Sequence, residues 1–297
     1  MIGEFAALGA ALSWTVSALL YGKALSKTKP VSANIVRLTL TSAILLAFLI
    51  ATGLLGVLTS LPTSVVVLAS VSGIIGLGFG DTLYMISLKM IGVARAVPVT
   101  CTYPLFNLLL VALFAGKTIT WSVALGAIVI VLGIWLLSME EERDKLNSQK
   151  KVLIKGLAVA LATALLWSVS IAMMGLAVEK TPNLDGAFAI NTVRVLTIGA
   201  SFAVAAPIVD RGRGFLKMTR RTVVTLIVGG IVALGLGWFL LTYSFIYTSE
   251  PRAVPISSAT PLFSTLAAIL LLHERVNVKN VLGSIMIVAG IFILFLV

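Results

Sequence analysis

The 297-residue chain is 59% apolar and 11% charged, with a mean hydropathy of +1.12. A soluble domain carries roughly 25% charged residues, so this chain has too few to coat a surface facing water and reads as an integral membrane protein. A net charge of +11 would suggest nucleic acid as the partner of a soluble protein; here the basic residues fall between apolar runs, where orientation in a membrane accounts for them and no nucleic-acid partner is expected.

Runs free of Asp, Glu, Lys and Arg cover 5–22, 38–80, 96–116, 118–139, 156–178, 222–249, 253–272 and 280–297. About 20 predominantly apolar residues cross the hydrocarbon core as a helix. Most of these runs therefore supply one span, and 38–80 supplies two, divided near Gly53, Gly56 and Pro62. The first span is predicted over 3–22 with Trp14 near its middle; its length and the lack of a basic start argue against a cleaved leader. The second, over 31–53, follows Pro30 and carries Arg37 roughly 10 Å in at the helical rise. The third, over 63–88, holds the small-residue patch Gly76-x-Gly78-x-Gly80, then Asp81, roughly 12 Å from Lys89, and Tyr84. The fourth, over 94–115, contains Thr100, Cys101, Thr102, Tyr103 and Asn107, and its Pro98 and Pro104 should loosen its start. The fifth, over 119–138, is almost purely aliphatic and reads as a packing helix or a dimer face, so monomer and homodimer both stay open. The single cysteine, Cys101, excludes an internal disulfide framework and reads as an inert packed residue.

After a polar stretch at 140–153 the pattern starts again. Spans are predicted at 154–178 with Trp167, 186–208 with Arg194, 222–246 with Trp238 and Tyr243, 252–272 with Ser257, and 278–297. Residues recur at an offset of 157: Asn34 and Arg37 as Asn191 and Arg194, Gly78 and Gly80 as Gly235 and Gly237, Pro98 and Pro104 as Pro255 and Pro261. The chain thus divides into a first five-helix repeat at 1–139, a linker at 140–153 and a second repeat at 154–297. An odd number of spans per half makes the second half enter from the opposite face. The expected fold is all-α, with ten transmembrane helices as two inverted five-helix repeats, and a substrate site at the repeat interface. Seventeen Lys and Arg lie on one face against three on the face of the termini. That predicts both termini outside the cytoplasm of a multi-pass plasma-membrane protein.

Charges inside spans are costly and demand a reason. Asp81 and Arg37 enter from the same face to similar depth, so they can pair. One reading makes the pair structural or lets Arg37 snorkel to the interface; the other makes Asp81, with Arg37, the proton-coupling residue. Arg194 has no repeat-related acid, because Trp238 stands opposite Asp81. It could meet Glu4, cap backbone carbonyls or bind a substrate carboxylate. Trp14, Tyr84, Tyr103, Asn107, Trp167, Arg194, Trp238, Tyr243 and Ser257 are the candidates for lining a substrate cavity. Ordinary interhelical hydrogen bonding is the competing account of the polar ones. With one histidine, His273, and no GxxxxGK[ST] motif, neither a metal site, a cofactor, an enzyme nor ATP coupling is expected.

These residues together resemble the drug/metabolite transporter superfamily, in its EamA-like ten-helix branch. The resemblance covers essentially the whole chain. It rests on Ala11-Leu-Ser-Trp14 and Ala164-Leu-Leu-Trp167, on Arg37 and Arg194, on Arg95-Ala-Val-Pro98 with Pro104-Leu, and on Arg252-Ala-Val-Pro255 with Pro261-Leu and His273-Glu274. It implies helices three, four, eight and nine, with one and six, around a central cavity, and alternating access between the halves. It also implies amino acids, other small metabolites or drugs as substrates, often moved outward with protons. Two positions depart from the pattern: Lys117 stands where Glu is usual, whereas Glu274 keeps it, and Asp81 is not a general family feature. The expected function is secondary export of a small metabolite, such as an amino acid. A multidrug or lipophilic-cation exporter is the nearest rival, and a channel-like facilitator, a lipid scramblase or a non-transporting scaffold are further ones.

Overall fold

A computed structural model describes residues 1–115, 121–138, 147–248, 250–272 and 278–294, and their regular structure is entirely helical. The longer helices are α1 (Ile2–Leu25), α2 (Pro30–Ala51), α3 (Thr63–Ile91), α4 (Val93–Thr100), α5 (Tyr103–Ala115) and α6 (Trp121–Ser138). Then follow α7 (Asn147–Lys180), α8 (Leu184–Val209), α9 (Arg220–Tyr247), α10 (Glu250–Ser257), α11 (Thr260–Leu272) and α12 (Val278–Leu294). Six of them, α1, α2, α3, α7, α8 and α9, are long and apolar enough to cross a membrane. Local signals set several ends. Pro30 sits in the first turn of α2. The Asn183 side chain caps α8 by accepting from Gly186 N at 2.7 Å, and Thr219 caps α9 from Thr222 N at 3.3 Å. Helix α7 begins at Asn147, inside the stretch expected as linker, and Lys117, His273 and Glu274 lie outside the described residues.

Two expected helices are broken. In place of a continuous helix over 94–115 there are α4 and α5, joined by a turn at Cys101 and Thr102, and the helix over 252–272 is α10 and α11. The cause is proline. Pro104 and Pro261 bring no amide hydrogen, and their rings clash with the carbonyl four residues back. The turns close instead through Cys101 N to Val97 O at 2.9 Å and Thr102 N to Val99 O at 3.2 Å, and through Ser258 N to Val254 O and Ala259 N to Ile256 O, both at 3.1 Å. Hydroxyls reinforce them, Thr102 donating to Val99 O at 2.7 Å and Ser258 to Val254 O at 2.8 Å.

Helices α3 and α9 each carry a π-helical segment, Ile74–Gly80 and Ile231–Gly237. These segments lie at matched positions of the 157-residue offset. A π turn leaves carbonyls short of their usual partners, and the residues at the Asn34/Asn191 position supply donors from the neighbouring helix. Asn34 Nδ2 lies 3.3 Å from Leu77 O, and Asn191 Nδ2 donates to Leu234 O at 2.8 Å.

Packing between the halves is reciprocal. Helix α1 lies against α9, α10 and α11, while α7 lies against α3, α4 and α5. Helix α2 packs on α8, and α6 on α12. The first helix of each half is therefore embedded in the other half, which leaves the centre of the molecule lined by α1, α3, α4, α7 and α9.

Candidate functional site

A small cavity of about 40 Å³ lies at that centre. Helix α1 contributes Trp14, Ser17 and Tyr21, which share one helical face. Helix α2 supplies Arg37 and α3 supplies Asp81 and Tyr84; Val97, Thr100 and Cys101 come from α4 and its following turn, and Tyr103 opens α5. Trp167 of α7, Ala233 and Trp238 of α9 and Thr260 of α11 complete the wall.

The aromatic rings form a connected wall. Trp14 meets Trp238 with ring centroids 5.1 Å apart, Trp238 meets Trp167 at 6.4 Å, and Trp167 meets Tyr84 at 5.1 Å and Tyr103 at 6.3 Å. Two glycines make room for it. A Cβ on Gly80 would come 2.9 Å from the Trp167 ring, and one on Gly237 would come 2.7 Å from Trp14 Nε1. The glycines are repeat-related, so each tryptophan is seated on the third helix of the opposite half.

Arg37 and Asp81 are 1% and 2% exposed and form an ion pair. Snorkelling of Arg37 to the interface is thereby corrected: the carboxylate and Asn34 Oδ1, at 2.6 Å, hold its guanidinium inside. Trp167 Nε1 donates to the second Asp81 oxygen at 2.8 Å. The guanidinium carbon also lies 5.0 Å from the Tyr21 ring centre. Both carboxylate oxygens are thus engaged, which is what a buried charge requires.

The second half solves the same problem differently. Arg194 is fully buried, and Trp238, at the position matching Asp81, presents its ring face 4.3 Å from the guanidinium carbon. Ser170 Oγ at 3.1 Å and Met174 Sδ at 3.0 Å receive its two terminal nitrogens. Cation–π stacking replaces the ion pair. Glu4 is not its partner; that carboxylate pairs with the N-terminal ammonium at 2.8 Å.

Of the nine residues expected to line a cavity, Trp14, Tyr84, Tyr103, Trp167 and Trp238 lie on this one and four do not. Arg194 is behind Trp238. Ser257 is behind Tyr103, whose hydroxyl it meets at 2.7 Å. Asn107, one turn beyond Tyr103, donates to Glu250 Oε1 at 2.6 Å. Tyr243 is five residues past Trp238, about 140° around the helix, and stacks on Phe239 at 5.8 Å. Among the residues the sequence did not single out, Tyr21 could have been found by its spacing of two turns from Trp14. Ala233 carried no signal at all. Cys101, read as packed, is buried yet faces the cavity.

Comparison with known proteins adds to this geometry. The profile of the EamA-like transporter family matches residues 1–139 and 154–296. A curated protein of Archaeoglobus fulgidus, named only as an uncharacterized transporter, is 25% identical over 296 residues, covering 100% of this chain and 99% of that protein. A solved crystal structure superposes with a TM-score of 0.64 at 20% identity, covering 98% of this chain and 95% of that one, and its likeness bears on the fold alone.

Proposed function

We propose, from the premise that this chain belongs to the EamA-like transporter family, that it is a secondary exporter of small metabolites such as amino acids, working by alternating access. A multi-pass membrane transporter of the drug/metabolite type is what the family and the six long apolar helices establish; the substrate, direction and coupling are our reading. In it the protein has ten membrane crossings, α4 with α5 and α10 with α11 each making one bent crossing, arranged as two inverted five-helix repeats. Both termini lie outside the cytoplasm of a plasma membrane.

The observation that carries the proposal is the central cavity with its buried ion pair. The wall is aromatic and apolar, suited to a small organic substrate, and among the described residues Asp81 is the only carboxylate on it. Asp81 touches Arg37 of α2 and Trp167 of α7, one from each half. A proton on Asp81 would remove the charge that holds these two helices to α3, which is how protonation could be tied to movement of one half against the other.

Counterflow tests the carrier mechanism. Proteoliposomes preloaded with an unlabelled amino-acid mixture should transiently accumulate external labelled amino acids above equilibrium. Equilibration without overshoot would indicate a channel-like facilitator instead. Overshoot only with trapped lipophilic cations would favour the multidrug reading.

A further inference from the structure

We propose that a second cavity, at the starts of α2 and α9, holds the phosphate of an anionic membrane lipid. It has a volume of about 220 Å³, more than the central one. Two connections enclose it. Lys27, Thr28 and Lys29 lead into Ser32 of α2, and Gly214, Lys217, Met218 and Thr219 lead into Thr222 of α9. None of these residues lines the central cavity.

The two connections are built against each other. Ser32, 1% exposed, donates to Asp210 Oδ2 at 2.7 Å, and the same oxygen accepts from Phe215 N at 3.0 Å. A Cβ on Gly214 would come 2.7 Å from Ser32 Oγ, so the second connection lies directly on the first turn of α2. This seam holds the two walls of the cavity together. Asp210 is itself buried, engaged by these two donors, and not part of the lining.

Among the described residues the lining carries three ammonium groups and no carboxylate. The ion pairs of the described residues are Met1–Glu4 and Arg37–Asp81, so Lys27, Lys29 and Lys217 have none. Lys89 adds a further charge at the rim, where its Nζ donates to Thr28 O at 2.6 Å. Orientation in the membrane accounts for an excess of cations on one face. It does not require that three of them converge from two connections on one cavity. Helix α2 adds to the field. It has no side-chain cap, so the N–H groups of Val31 and Ser32 find no acceptor within the helix, and the positive end of its dipole meets the lining. Helix α9, by contrast, is capped by Thr219. A lipid rather than a free anion follows from the place. The starts of two membrane-length helices lie at headgroup level, and basic pockets there suit anionic headgroups. Leu216, beside Lys217, is 69% exposed, which offers an acyl chain an apolar contact next to its phosphate.

Native mass spectrometry of the purified protein in neutral detergent, titrated with dioleoylphosphatidylglycerol or dioleoylphosphatidylcholine, reads the binding. Phosphatidylglycerol should bind saturably, and zwitterionic phosphatidylcholine at least about tenfold more weakly. The variant Lys27→Gln/Lys29→Gln/Lys217→Gln should weaken phosphatidylglycerol at least about tenfold. A control, Lys23→Gln/Arg211→Gln/Arg221→Gln, removes the same charge from exposed positions outside the cavity and should leave binding within about twofold of wild type. Melting temperatures of both should stay within a few degrees of wild type. Should the cavity variant fail to fold, Lys217→Gln alone should weaken the lipid about threefold. Equal binding of the two lipids, equal loss in the two triple variants, no loss in the cavity variants, or displacement of the lipid by inorganic phosphate at the same concentration overturns the inference. None of these readouts involves transport, so the result stands apart from the proposed function.

Discussion

At the scale of single residues, the molecule turns on how it houses two buried arginines. Arg37 is met by a carboxylate and Arg194 by an indole face, although the two arginines are repeat-related. Removing one partner of a buried ion pair typically costs about 3–5 kcal/mol, because the other charge is stranded. Arg37→Met should therefore lower the thermal midpoint in detergent by several degrees, and the double variant Arg37→Met/Asp81→Asn should recover a good part of the loss. A double variant as unstable as the sum of the singles would contradict the pairing. For the other arginine, Trp238→Leu removes the stacked face at a cost of about 2 kcal/mol, which the same measurement would register. The Arg37–Asp81 contact was legible in the sequence because ionised residues stand out in an apolar run. The Arg194–Trp238 contact was not, since nothing in a tryptophan marks it as the answer to an arginine on another helix.

At the scale of helices, the departures from regular geometry are themselves repeated. The charge-free runs marked where the apolar helices lie, and among the described residues six of those helices are long and apolar enough to cross a membrane. The glycine patches read as points where helices approach closely or bend, and the backbone there, at Ile74–Gly80 and Ile231–Gly237, is π-helical. The Asn-x-x-Arg pair was visible as a repeat, but its purpose appears only when Asn34 and Asn191 are seen beside Leu77 and Leu234 carbonyls. Asn191→Leu should destabilise the protein by about 1–3 kcal/mol, the usual penalty for a buried group left unpaired. Chemical unfolding followed by circular dichroism would reveal this, and an unchanged midpoint would count against the capping role. Gly237→Ala should displace the Trp14 ring at a cost of about 1–3 kcal/mol, with a shift in tryptophan emission. An unaltered spectrum and midpoint would show that the seat is looser than described.

At the scale of the whole molecule, α1 packs against α9, α10 and α11, and α7 against α3, α4 and α5. The cavity walls on α1 and α3 run from mid-helix toward the ends near Ser26–Lys29 and Gly92, where Lys89 Nζ donates to Thr28 O at 2.6 Å. Under the predicted orientation that is the cytoplasmic side. Single cysteines at Ser26 and Asn183, in a Cys101→Ser background, test the orientation: an impermeant maleimide should label position 183 on intact cells and position 26 only after permeabilisation. The reverse pattern would invert the topology. The most direct test of the account as a whole is uptake of a labelled amino-acid mixture into proteoliposomes, with and without an imposed pH gradient, for wild type and Asp81→Asn. The account predicts gradient-driven accumulation by wild type that is lost in a folded Asp81→Asn protein. Accumulation that persists undiminished in the variant would contradict coupling at the Arg37–Asp81–Trp167 centre.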